Sequence, residues 1–134
     1  MRQNKVDKFI SEYCGEKRIK LLIDPNLDKD NGLCYPMYKE IHLSKKYTNT
    51  KIKLAVFLHE VGHIISGHGR KKPFNTFESE LMSWQSAIDI HKKVFGRYFS
   101  KTQTQFMLKC LKTYCRSQYE FRRLDIEETQ KENT

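Results

Sequence analysis

Long apolar runs are missing from this 134-residue sequence. No stretch approaches the roughly 20 residues that span a bilayer, which argues against an α-helical membrane anchor. The N-terminal stretch MRQNKVDKFISEYCGEK has no long apolar segment and no small-residue cleavage site. A secretory signal peptide is therefore not expected, and the expected compartment is the cytoplasm. CxxC pairs are also absent, and Cys14, Cys34, Cys110 and Cys115 stand apart. Without a secretion signal they read as free thiols. Cys110 and Cys115 are five apart and would not share a helix face, which argues against a cysteine-built zinc site. No internal repeat, linker or nucleic-acid motif is present.

Negative charge is in short supply. Sixteen Asp and Glu face twenty-five Lys and Arg, a net charge of +9. Such a surface attracts nucleic acid, acidic proteins or anionic lipid. The positives are scattered and not interleaved with aromatics, so a solvated surface is the simpler reading, with weak or indirect nucleic-acid contact at most. Hydrophobic content of 38% and a mean hydropathy of -0.73 fit a soluble globular protein. A chain of this length forms one domain and buries about two-thirds of its surface.

Apolar spacing predicts the elements. Val6, Phe9, Ile10 and Tyr13 recur at three and four, an amphipathic helix over 3–14 that Gly15 can end. Strands are expected at 18–24, at 33–38 and at 39–44, where Ile41 and Leu43 share one face. Asn49 or Thr50 can cap a helix over 51–66, stopped by Gly67. Its interior, LAVFLHEVGHII, is apolar nearly all round and should be buried. A basic loop (67–73) follows. Residues 76–96 place Phe77, Leu81, Trp84, Ile88, His91 and Phe95 along one line. A last helix covers 102–119, and a charged, disordered tail is expected over 120–134.

The 51–66 helix carries His59-Glu60-Val61-Gly62-His63. Residues four apart on a helix face the same way, so His59 and His63 can hold one Zn²⁺. Glu60 is offset by about 100° and sits beside the metal, where a general base acts on water. A catalytic zinc keeps three protein ligands and an open position. Candidates for the third are His68, His91, Glu78 and Glu80. The extended pattern HExxHxxGxxH needs Gly at 66 and His at 69, and the chain has Ser66 and Gly69, so His68 reads as a rim residue. Glu78 and Glu80 point about 200° apart on their helix. Glu80 lies nearer the apolar line and is better aimed at the metal. His91 reads as a core or boundary histidine.

Three segments carry a resemblance: Asn31-Gly32-Leu33-Cys34-Tyr35-Pro36, HEVGHIISGH at 59–68, and Glu78-Ser79-Glu80-Leu81 leading to Trp84 and Ala87. Over about residues 18–90 the chain resembles the ImmA/IrrE metallopeptidase family, whose pattern is an NGLYYP-type segment, HELGH with a second Gly-His, and ExEAxxxA. Leu81 replaces the usual small residue and Cys34 an aromatic, and neither change removes a ligand. The resemblance implies one Zn²⁺ per chain on His59, His63 and Glu80, with Glu60 as base. The strand alternation and turns read above give a small antiparallel sheet of about three strands beside the buried motif helix, an α+β fold in one domain over 1–119, and the resemblance makes its helical core zincin-like. It implies site-specific cleavage of a helix-turn-helix repressor of a phage or mobile element. His42, Tyr35, Tyr38 and His68 are candidates for the oxyanion donor, and the 39–44 strand could offer an edge to substrate. The alternatives are a catalytically silent zinc-binding regulator acting through the basic surface, and an accidental helix pattern in an interaction protein.

Overall fold

The computed structural model describes residues 3–68, 76–115, 120 and 122–124. The order is helix α1 (Gln3–Lys17), strands β1 (Lys20–Asp24) and β2 (Gly32–Tyr35), a 3₁₀ turn (Pro36–Tyr38), strand β3 (Glu40–Ser44), then helices α2 (Thr50–Ser66), α3 (Phe77–Phe95) and α4 (Lys101–Lys112). The class is α+β, as expected. Among the described residues no helix is long and apolar enough to cross a membrane.

α1 buries Val6, Ile10 and Cys14 on one stripe and runs on through Gly15. The expected stop at Gly15 is wrong because the chain closes later. Arg18 takes the left-handed conformation (φ 57°), Arg18 N–H donates to the Gly15 carbonyl, and Ile19 N–H donates to the Cys14 carbonyl at 2.9 Å. This closure buries Ile19, and the apolar gain offsets the strain of a non-glycine left-handed residue.

The sheet order is β1-β3-β2, with β3 parallel to β1 and antiparallel to β2. The sheet is mixed, which corrects the expectation of an antiparallel one. Residues 25–31 do not form a tight hairpin. Asp30 N–H donates to the Lys46 carbonyl, and the Asp30 carboxylate accepts from Thr48 N–H and Thr48 Oγ1, each at 2.6 Å. Tied to 46–48, the loop carries β2 to the far side of β3. β3 takes the centre because both Ile41 and Leu43 are fully buried. With both edges paired, β3 cannot offer one to a substrate, and β1 and β2 are the edge strands. The extended segment expected at 33–38 is strand only to Tyr35, because Pro36 starts a 3₁₀ turn.

α2 is the centre of the core and packs on α1, α3, α4, β2 and β3. Asn49 caps it by accepting from Ile52 N–H at 2.9 Å, and Gly67 closes it at φ 71°. α3 opens on a Thr76/Ser79 capping box and ends at Gly96 (φ 78°). α4, capped by Ser100, stops at Lys112, earlier than expected, and turns follow to Tyr114. The rest of that expected helix (116–119) and most of the 67–73 loop lie outside the described residues. The expected disordered tail needs correction where it is described: Glu120 and 122–124 are helical and Leu124 is fully buried. A large apolar side chain explains that burial in an otherwise charged segment. Residues 125–134 lie outside the described residues.

Candidate metal centre

The motif sits on the most buried stretch of α2, where Leu58, His59, Glu60, Val61, Gly62 and His63 are all enclosed. α3 lies against it at unusually short range. A Cβ added to Gly62 would run into the Ser83 carbonyl oxygen and come within 3.0 Å of its carbon. The glycine in the motif is therefore what lets α3 approach. That approach delivers Glu80 to the two histidines.

Glu80 Oε2 lies 2.8 Å from His59 Nε2 and 3.1 Å from His63 Nε2. Two imidazole nitrogens and one carboxylate oxygen thus meet at a point. Four tetrahedral ligands at zinc distances of about 2.0–2.1 Å stand about 3.3 Å apart. The observed separations are within a few tenths of an ångström of that, and N₂O is a donor set that zinc accepts. Glu60 shares the cluster, since donor atoms of His59, Glu60 and His63 lie within 4.8 Å of one another. Charge separates the two glutamates. Burial pushes Glu80 upward, but hydrogen bonds from His59 and His63 outweigh it and hold the carboxyl below the ordinary range. Burial, and then the Glu80 charge, push Glu60 up to about 8. His59, Glu60 and His63 form a group that could hold a metal, and Glu80, in contact with both imidazoles, is a further candidate ligand. Glu78, the rejected alternative, is exposed and pairs with Arg123.

The histidines are held differently. The His59 ring stacks on Trp84 at 4.1 Å and 17°, and its buried Nδ1 has no hydrogen-bond partner among the described residues. Burial lowers its pKa and favours the neutral imidazole that binds metals. His63 Nδ1 lies 2.8 Å from His68 Nδ1, and Ser83 Oγ is 3.3 Å from the same His68 atom. Only one hydrogen can lie between the two ring nitrogens, so this contact fixes one tautomer against the other. His68 is buried, not at a rim. Its place follows from the helix stop: Gly67 is left-handed, and His68 N–H donates back to the His63 carbonyl at 3.2 Å. The closing turn folds one histidine onto the other.

β2 borders Glu60. A Cβ on Gly32 would meet Val56 at 2.7 Å and Glu60 at 3.3 Å, so the glycine leaves room for the carboxyl. Cys34, on the same strand, is buried, and burial with the Glu60 and Glu80 charges keeps its thiol protonated. Tyr114, just past α4, feels the Glu80 charge, and burial together with that charge raises its hydroxyl to about 12. Sequence reasoning missed Tyr114, because nothing in its own turn marks it and only the α4 packing brings it in.

None of His42, Tyr35 and Tyr38 has a hydrogen bond to the cluster among the described contacts. His42 Nε2 meets Glu40 Oε2 at 2.6 Å, Tyr35 packs edge-on to that ring, and Tyr38 is exposed. His91 is a buried boundary histidine, with Nδ1 donating to the Arg97 carbonyl at 2.6 Å.

The chain matches no protein-family model, no curated protein and no solved structure.

Proposed function

We propose that this chain is a cytoplasmic zinc-dependent metallopeptidase that cuts one protein partner, a helix-turn-helix repressor of a phage or mobile element. The observation that carries the reading is the meeting of His59 Nε2, His63 Nε2 and Glu80 Oε2 with Glu60 buried beside them. The likeness of three separate segments to the ImmA/IrrE pattern supports the substrate class.

Bound by His59, His63 and Glu80, zinc supplies a Lewis acid for water and for the scissile carbonyl. The remaining work falls to the chain. Glu60 takes the proton from the attacking water and returns it to the leaving nitrogen. Trp84 fixes the plane of His59, and His68 fixes the tautomer of His63. The Tyr114 hydroxyl, kept protonated beside the Glu80 charge, is a neutral donor that could serve the cluster. The β2 edge, next to Glu60, is where an extended segment could pair.

The test is co-expression with a candidate helix-turn-helix repressor, comparing wild type with Glu60→Gln. Cleavage by the wild type alone supports the proposal. An intact repressor alongside brisk cleavage of unrelated unfolded proteins makes the chain a general peptidase.

A further inference from the structure

A second concave site lies at the opposite end of the α2–α3 contact. It is a cavity of about 240 Å³ between the start of α2, the end of α3 and the start of α4. It is about 16 Å from Glu80 along α3, three turns away. Val6, Leu54, His91 and Gln103 form its buried wall, and Lys51 and Arg97 stand exposed at its rim.

Its chemistry is one-sided. None of the lining residues is acidic. Among the described residues, neither Lys51 nor Arg97 has a carboxylate partner. Arg97 itself lines the cavity beside His91. The wall itself is rigidly built. Gln103 is 2% exposed, donates from Nε2 to the Lys51 carbonyl at 3.0 Å and accepts at Oε1 from Ser100 N–H at 2.8 Å. His91 gives its Nδ1 hydrogen to the Arg97 carbonyl, which fixes the 96–98 turn over the cavity and leaves Nε2 as its second polar atom. Two uncompensated cations at the mouth of a preformed cavity, with an apolar floor of Val6 and Leu54, select a small anion. A guanidinium fork and an ammonium both match an oxyanion, whether phosphate or carboxylate.

We infer that this cavity is a binding site for a small oxyanion, separate from the histidine–glutamate cluster and independent of its proposed chemistry. The alternative source of its positive character, a general excess of surface lysine, would not depend on these two residues.

Melting curves at constant ionic strength, with chloride exchanged for inorganic phosphate or for malate, decide the matter without any activity assay. The expected result is a saturable rise in melting temperature with one of the two probes, and which probe gives it identifies the oxyanion. In Lys51→Gln/Arg97→Gln the apparent dissociation constant should rise at least about tenfold, while Lys45→Gln/Lys46→Gln should bind like wild type. Both rim side chains are exposed, so the double variant should fold. A second measurement needs no variant: the His91 imidazole resonance of the wild type should shift on titration, and that of His42 should not. Absence of a saturable rise with both probes overturns the inference. So does an undiminished rise in the rim variant, or a shift at His42 in place of His91.

Discussion

Replacing glycine by alanine should move stability in opposite directions at two helical positions of this chain. Gly15 lies inside α1 with nothing within 4 Å of an added Cβ. Gly15→Ala gains only helix propensity and should stabilise by about 0.5–1 kcal/mol. Gly62 lies inside α2 with the Ser83 backbone against it. Gly62→Ala gains the same propensity, about 1 kcal/mol, but forces α2 and α3 apart by about 1 Å, since ordinary contact begins near 3.4 Å. Backbone atoms cannot rotate out of the way, so the overpacking cost sits at or above the upper end of about 1–3 kcal/mol. The net loss is about 2 kcal/mol, a fall of roughly 5–10 °C in melting temperature at this size. The same retreat carries Glu80 away from His59 and His63, and zinc affinity should fall by about tenfold or more. Thermal melts and a zinc titration read both effects. A Gly62→Ala protein as stable as Gly15→Ala would refute the close approach on which the site depends.

Two further outcomes are expected. Without metal, Glu60 is raised from 4.5 to about 8, so the stability of its protonated form is complete below pH 4.5 and is lost as pH rises through 8. Urea melts of the metal-free wild type should lose about 1 kcal/mol between pH 7 and 8 relative to Glu60→Gln. His59, whose pKa is lowered, acts in the opposite sense below 6.5 and does not enter that window. Parallel pH profiles in the two proteins would contradict the burial of Glu60. Replacing His68 by Ala should weaken zinc binding about 10–100-fold while leaving the three donors in place, measured by competition with a chelator. Unchanged affinity would mean that the His63–His68 contact does not orient the ligand.

Much of the candidate site was legible because its signals are local. His59, Glu60 and His63 lie on one short helical stretch, and helix periodicity alone sets their directions. Glu80 was reachable because Glu78 and Glu80 differ in angle to a clear apolar stripe. What escaped depends on distant partners or on backbone. His68 looked like a loop residue until Gly67 turned it inward. Tyr114 reaches Glu80 only through the packing of α4 on α2. The strand count was readable from alternation, but pairing direction was not. Asp30 and its bonds to Thr48 decide it, and an Asp in a turn looks the same either way. Leu124 was hidden by the charges around it.

Metal content of the purified protein is the most direct test of the central claim. Wild type and Glu60→Gln should each carry about one zinc per chain, and His59→Ala/His63→Ala none. Stoichiometric zinc in the double histidine variant, or none in the wild type after zinc-supplemented growth, would contradict the assignment.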